Sequence, residues 1–287
     1  MERVDIAIIG TGPAGISAAV NARIRNKSFL LFGNDRLSGK VECSEYIDNY
    51  PGVAHITGAE LNQSFREQMD GLGIEITGAR ITGIYNMGEY YLIMADSEEY
   101  EAKSIILATG VESRRAIHNE REFLGRGVSY CATCDGRLYR GRNIAIICDN
   151  KSMEEEVEFL AQIAGKIYYF PLFKSDFKKD NIEIMTIPVA SIYGRDYVEG
   201  IELKNGTKIG LDGIFFLKQS VSADVLLRGL KMNDGHIVVD RNMSTNMPGC
   251  FAAGDCTGRP YQIAKAVGEG NIAAHSAIAY LAGVKGE

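Results

Sequence analysis

Positive charge is scarce in this chain: 31 Lys and Arg stand against 37 Asp and Glu, a formal net charge of −6. With no basic stripe along it, general nucleic-acid binding is not expected. No stretch approaches the roughly 18 uninterrupted apolar residues of a membrane-spanning helix. The N-terminal Met1-Glu2-Arg3-Val4-Asp5-Ile6 has the pattern of a folded strand rather than of a charged-then-apolar export signal. A cytoplasmic protein with no membrane partner is therefore expected. Six Cys in 287 residues are too sparse for a disulfide-stapled secreted scaffold, so a close Cys pair reads as redox or metal chemistry. Only one such pair exists. Six Pro against 32 Gly, with 46% apolar and 24% charged residues, exclude collagen-like, fibrous and low-complexity classes.

What is present is ample length and many glycines. At the usual ~100–200 residues per domain the chain makes two domains or one large one. The glycine excess predicts tight strand-to-helix turns. Val4-Asp5-Ile6-Ala7-Ile8-Ile9 is a β-rich run followed by Gly10-Thr11-Gly12-Pro13-Ala14-Gly15, an Ala-rich helical segment to about Arg25, and a second buried strand at Ser28–Gly33. This is a βαβ unit, which requires a parallel sheet and a right-handed crossover. A second copy begins with the strand Asn143–Cys148, continues through a helix over Met153–Ala164 and ends in the strand Lys166–Phe170. A further strand-and-glycine motif returns at Gly249-Cys250-Phe251-Ala252-Ala253-Gly254-Asp255. The expected fold class is therefore α/β: two doubly wound dinucleotide-binding-type domains, the second inserted into the first. The first spans 1–112 and 244–287, the insertion 113–243.

The first glycine motif lies between a strand and a helix, the context its mechanism requires. Gly10 permits the tight turn, Gly12 lets backbone approach a pyrophosphate, and Gly15 lets helix and strand pack closely. The helix N-terminus adds free N–H groups and partial positive charge. A glycine-rich turn that holds nothing is the bland alternative. Asp35 lies twenty residues beyond Gly15, the usual distance for a ribose-binding acid, and Asn34 is equally placed.

Cys131-Ala132-Thr133-Cys134 allows a disulfide ring that opens and closes with little backbone movement, and Asp135 can shuttle the proton that thiol–disulfide exchange demands. Half a zinc site is the alternative. It would need two more ligands, whereas Cys43, Cys148, Cys250 and Cys256 are scattered and the four His show no paired spacing, so no metal is expected. The other four Cys read as buried small hydrophobes, Cys43 being the one to watch.

These residues resemble one family over nearly the whole chain: the low-molecular-weight thioredoxin reductases, FAD-containing homodimers with an inserted second domain. The resemblance is carried by Gly10–Gly15, by Asn49-Tyr50-Pro51-Gly52 and by Ile106-Leu107-Ala108-Thr109-Gly110. It continues through Gly125–Ser129, Cys131–Gly136, and Phe251–Asp255 with Gln262. It implies that FAD is held by Gly10, Gly12, Pro13, Ala14, Gly15, Asn34 or Asp35, Asn49, Pro51, Ala108, Thr109, Gly110, Gly254, Asp255, Gln262 and Ile263. Asp255 would meet the ribityl hydroxyls. Gln262 and the helix starting near Tyr261 would meet the flavin ring. Cys131 and Cys134 would be the disulfide that flavin reduces and that reduces a protein disulfide in turn, with Asp135 as acid–base. The family usually carries Arg where Tyr261 stands.

The second βαβ unit departs from the family. Where NADPH-using members carry glycines, this chain reads Cys148-Asp149-Asn150-Lys151-Ser152-Met153, so side chains occupy the space a pyrophosphate needs. Glu154, Glu155, Glu156 and Glu158 follow. At ~6 Å and an effective dielectric of ~20 to ~60, each carboxylate would repel a phosphate by roughly 1–3 kcal/mol. Acids in a first helical turn are also ordinary dipole partners. The family's His-Arg-Arg cluster for the 2′-phosphate is replaced by Pro171-Leu172-Phe173.

Lost nicotinamide binding beside retained flavin and dithiol elements implies another electron source. A flavin accepts electrons singly, so a one-electron protein carrier can replace hydride. The sequence is similar to the pyridine-nucleotide-independent branch, the ferredoxin-dependent flavin thioredoxin reductases, whose partners are ferredoxin and thioredoxin. Arg114-Arg115, Arg137/Arg140/Arg142 and Lys174/Lys178/Lys179 are candidate docking charges, or plain surface charge. Other readings are a diverged NADPH-dependent thioredoxin reductase, a flavin thiol oxidase or diflavin oxidoreductase, and a redox-inert flavoprotein binding module.

Overall fold

The computed structural model describes residues 3–96, 98–111, 117–218 and 222–283. Its contacts divide the chain into two units, one of residues 1–111 and 222–287, the other of 112–221. In the first unit β1 (Val4–Ile9) leads through the Gly10 turn into α1 (Pro13–Ile24) and returns as β2 (Phe29–Phe32). Pro13 takes the first helical position, where its missing N–H costs nothing. A short α2 (Gly39–Glu42) precedes α3 (Gly58–Gly71), which starts in a capping box between Thr57 and Glu60. β3 (Ile81–Asn86), β4 (Tyr91–Ala95) and β5 (Glu98–Leu107) follow. β3, β4 and β5 pair antiparallel, while β1 pairs parallel with both β2 and β5.

The second unit starts with β6 (Val128–Ser129) and α4 (Ala132–Asp135). Its βαβ unit is β7 (Asn143–Cys148), α5 (Glu154–Ala161) and β8 (Lys166–Pro171). The helix is shorter than the expected Met153–Ala164. Lys151–Met153 winds as a 3-10 turn, and the helix has ended by Gln162. β9 (Ile182–Ile184) then joins the sheet. β10 (Val189–Gly194), β11 (Val198–Leu203) and β12 (Lys208–Gly210) form a separate antiparallel sheet, and β13 (Gly213–Leu217) closes the unit. The main sheet is fully parallel in the order β6-β13-β7-β8-β9. It is buried on both faces: Ala145 and Ile147 face one core, Ile144, Ile146 and Cys148 the other, with the period of two that a strand dictates.

The chain re-enters the first unit at Ser222, well before the expected return at 244. The boundary moves because residues 222–243 carry packed elements of that unit rather than of the insertion. These are α6 (Ala223–Leu226), which packs on β3, and the hairpin β14 (Met232–Asn233) and β15 (His236–Ile237). β16 (Cys250–Ala252) then pairs parallel with β5, and α7 (Ile263–Leu281) packs along α1. The two helices meet through small residues. A Cβ added at Gly270 would lie 2.1 Å from the Ala14 carbonyl oxygen, and Ser17 Oγ donates to Val267 O at 2.7 Å. Among the described residues no helix is long and apolar enough to cross a membrane.

Candidate active site

In each unit the parallel sheet reverses its winding between two strands, β1 and β5 in the first and β7 and β13 in the second. Ligands of doubly wound folds lie outside the carboxyl ends at such a point. In the first unit this edge is built of backbone. Gly10 has φ +121°, and a Cβ there would sit 2.2 Å from Ala108 O. Gly15 is as tightly placed, its missing Cβ 1.7 Å from Gly10 O. Gly12 is different: a Cβ would meet nothing within 4 Å, so it faces open space at the N-cap of α1, where no capping side chain takes the free N–H groups. A cradle with room above Gly12 and unsatisfied donors around it fits the pyrophosphate of FAD.

The neighbouring expected residues gather on the same edge. Ala108 is held by its N–H to Ile9 O, 2.8 Å, and Thr109 and Gly110 (φ +68°) follow it. Asn34 and Asp35 are both exposed beyond β2. Asn34 Oδ1 accepts the N–H of Arg36 at 2.8 Å, while the Arg66 guanidinium donates to the backbone oxygen of Asp35. The side chain of Asn34 is thus used by its own turn. Gln262 caps α7, ahead of Ile263, and accepts from Asn49 Nδ2 at 2.7 Å, joining the Asn49–Pro51 segment to the start of that helix. Gly254 turns the chain with φ +90° into the 3-10 turn Asp255–Thr257. Asp255 Oδ2 lies 3.7 Å from Lys40 Nζ.

Several contributors carry no sequence signal beyond their own identity. Thr11 is buried, donates to Asn34 O at 2.9 Å and accepts from Asn34 N at 3.0 Å. Glu269 Oε2 accepts from Gly254 N and Thr257 Oγ1, both at 2.8 Å, and from Lys265 Nζ at 3.0 Å. Lys265 donates also to Gly254 O at 2.9 Å. This i,i+4 pair clamps the Asp255 turn onto α7.

In the second unit Cys131 and Cys134 form a disulfide with an S–S distance of 2.04 Å. Cys131 is the N-cap of α4, its Sγ accepting the N–H of Cys134 at 3.2 Å. Cys134 is exposed and Cys131 half-buried. Asp135 Oδ2 accepts from Ser129 Oγ at 2.6 Å, and Ser129 Oγ accepts from Cys131 N at 3.0 Å. The hydroxyl of Tyr139 is pushed above its ordinary pKa, first by burial and then by the negative charge of Asp135. Burial also pushes the remaining buried thiols up, Cys148 and Cys256 to about 11 and Cys250 to about 12, whereas Cys43 is exposed. Among the described residues no group of three or more His, Cys, Asp or Glu could hold a metal ion.

A buried ion pair is linked to the residue that precedes the dithiol. Lys218, just past β13, donates to Glu120 Oε1; the side chains are 6% and 1% exposed. Tyr130, adjacent to Cys131, donates its hydroxyl to the same oxygen at 2.7 Å, and Ile117 N donates to Oε2 at 2.8 Å. Lys218 Nζ lies 5.0 Å from the ring centres of both Tyr130 and Phe216.

At the second switch point the turn after β7 carries no glycine from Cys148 to Met153. Cys148 stands where Gly10 stands in the first unit and donates its thiol to Asn150 O at 3.2 Å. Met153 N bonds back to Asn150 O at 3.0 Å. Glu154, the first residue of α5, accepts from Tyr169 OH at 3.3 Å and from Ser175 Oγ, so its carboxylate is held toward β8 and the loop that follows it. Lys179 pairs with Glu158 and Arg142 with Asp212, while Arg137, Arg140, Lys174 and Lys178 are exposed. Arg114 and Arg115 lie outside the described residues.

A family profile described as pyridine nucleotide-disulphide oxidoreductase matches residues 4–147 and 171–270; the stretch between, 148–170, holds the glycine-free turn and α5. The thioredoxin reductase of Helicobacter pylori is 34% identical over 310 aligned residues, covering 97% of this chain and 99% of that one. The crystal structure of a ferredoxin-flavin thioredoxin reductase from Clostridium acetobutylicum is 47% identical, with a TM-score of 0.91 and 99% of each chain covered. A thioredoxin reductase from Gloeobacter violaceus is 26% identical, with a TM-score of 0.82, 99% of this chain and 96% of that chain covered. The chain belongs to the pyridine nucleotide-disulphide oxidoreductase family and is a flavoprotein disulfide oxidoreductase of the thioredoxin reductase type.

Proposed function

We propose that this protein reduces the disulfide of thioredoxin with electrons that arrive one at a time from reduced ferredoxin, and that NADPH is not its donor. The observation that carries the reading is the contrast between the two switch points. The first presents open backbone at Gly12, whereas the second has no glycine from Cys148 to Met153, closes its turn on Asn150 O through the Cys148 thiol and Met153 N, and opens α5 with Glu154, Glu155 and Glu156. The likeness to the Clostridium acetobutylicum structure, 47% identical, supports the same donor. The same reading makes the protein a cytoplasmic homodimer.

FAD, when bound, supplies a centre that takes electrons singly and passes them on in pairs. Gly10, Gly12, Pro13, Ala14 and Gly15 would hold its pyrophosphate, with Ala108, Thr109 and Gly110 beside them. Asp35, or Asn34, would take the ribose, Gly254 and Asp255 the ribityl chain, and Asn49, Pro51, Gln262 and Ile263 would border the ring. Two electrons and two protons open Cys131–Cys134 to a dithiol. One thiolate attacks the thioredoxin disulfide, forming a mixed disulfide and releasing a partner thiolate, which takes a proton. The other cysteine then attacks the mixed disulfide, re-forming Cys131–Cys134 and freeing the second partner thiol. Asp135 holds and returns the proton moved in these exchanges.

Anaerobic reconstitution tests the whole chain of transfer. Reduced ferredoxin, catalytic enzyme and oxidised thioredoxin should yield two thioredoxin thiols per two ferredoxins consumed, and NADPH in place of ferredoxin should yield none. Thiol release driven by NADPH alone would instead support the diverged NADPH-dependent reading.

A further inference from the structure

Within the reading just proposed, we infer that Ser129 is a positioning residue for Asp135, a two-way hydroxyl that keeps the acid–base group in place in both of its protonation states. Ser129 ends β6 and is 3% exposed, so no bulk water can serve in its stead. Its oxygen touches three groups. It donates to Asp135 Oδ2 at 2.6 Å, accepts from Cys131 N at 3.0 Å, and lies 3.2 Å from Cys131 O. A hydroxyl has one hydrogen and two lone pairs.

When Asp135 is ionised, that hydrogen goes to the carboxylate, and one lone pair takes the Cys131 amide. When Asp135 has accepted a proton, its own O–H can donate to Ser129 Oγ while the serine hydrogen turns to Cys131 O. Each arrangement leaves every polar atom of the bridge satisfied, and the two differ by rotation of one O–H bond. A group that must take and return a proton at the dithiol needs this, because a partner serving only one state would release the carboxyl in the other. The same bridge ties Asp135 to the backbone of Cys131, which fixes the carboxyl relative to the sulfur pair across the turn of α4.

The test uses the FAD-loaded enzyme reduced anaerobically with dithionite and mixed with oxidised thioredoxin, so that no electron donor enters. Thiols appearing on thioredoxin are counted after acid quench. Ser129→Ala is expected to slow this step by roughly tenfold, and Asp135→Asn by about 100-fold or more, in the range general acid–base catalysis supplies. In Asp135→Asn the serine has nothing left to position, so adding Ser129→Ala should slow the reaction by less than about twofold. Ser129→Thr, which keeps the hydroxyl, should recover most of the wild-type rate. Flavin absorbance and circular dichroism identify any variant that has not folded.

Two effects that multiply in the double variant would overturn the inference, as would a wild-type rate in Ser129→Ala. A folded but slow Ser129→Thr would overturn it as well. If wild-type reduced enzyme leaves thioredoxin oxidised, the functional reading itself fails. If Asp135→Asn is as fast as wild type, the acid–base role fails and takes the inference with it.

Discussion

Replacing Lys218 with Met should destabilise the second unit by about 3–5 kcal/mol, the cost of stranding one partner of a buried ion pair. Both side chains are nearly sealed from water, at 6% and 1% exposure, so Glu120 cannot regain by hydration what it loses. Met matches the length of the lysine stem, so packing against Tyr130 and Phe216 survives and the charge is isolated as the cause. The Tyr130 hydroxyl and the Ile117 amide still donate to Glu120, which keeps the loss below that of a bare carboxylate. A domain stable by about 5–15 kcal/mol would lose a large fraction of its margin. Urea unfolding of the oxidised protein measures it, with circular dichroism and flavin release followed separately because two units need not unfold together. Adding Glu120→Gln to Lys218→Met removes the orphan charge and should recover at least half of the loss. A Lys218→Met protein within about 1 kcal/mol of wild type would refute the reasoning, and so would a double variant weaker than the single.

Three further outcomes follow from the same structure. Cys131→Ser and Cys134→Ser should each retain stoichiometric FAD and lose thioredoxin reduction altogether; an active serine variant contradicts the dithiol role. Gly12→Ala should leave the apoprotein within about 1 kcal/mol of wild type while weakening FAD binding at least tenfold, since its Cβ meets only open space. Gly15→Ala should damage the fold itself, because its Cβ would strike Gly10 O at 1.7 Å; equal apoprotein stability of the two variants would show that the cradle is wrongly read. With thiol pKa values raised to about 11 for Cys148 and Cys256 and about 12 for Cys250, these groups carry almost no thiolate below pH 9. Iodoacetamide at pH 8 should therefore label only Cys43 in the oxidised native protein, and Cys43, Cys131 and Cys134 after reduction. Peptide mapping that finds label on Cys148, Cys250 or Cys256 in native protein would contradict that burial.

Much of the site was legible because its chemistry is local in sequence. Gly10, Gly12 and Gly15 sit within one strand-to-helix turn, and each does what its spacing predicts: a positive φ, an open approach and a close backbone contact. The Cys-x-x-Cys spacing likewise closes within a single short helix. What escaped reading is non-local or has no periodic signature. Glu120 and Lys218 stand 98 residues apart, and nothing in either segment marks two charges as buried partners. The return at Ser222 was hidden because α6 and the β14–β15 hairpin are too short to show a pattern, so the glycine motif near 249 was the first visible sign of the first unit. Ser129 closes the Gly125–Ser129 stretch that carries the resemblance, but nothing in that stretch gives it a role; only the fold of β6 into α4 brings its hydroxyl onto Asp135. Asn34 and Asp35 could not be separated by spacing, and both stand exposed in the turn after β2, where Asn34 Oδ1 holds Arg36 N.

The electron source is tested most directly by rapid anaerobic mixing of one enzyme preparation with reduced ferredoxin, NADPH and NADH in parallel, following flavin absorbance. Bleaching by ferredoxin, with the oxidised spectrum unchanged over the same time in either nicotinamide at millimolar concentration, is the expected result. Full bleaching by micromolar NADPH would show that the turn at Cys148–Met153 still admits a dinucleotide and would contradict the account.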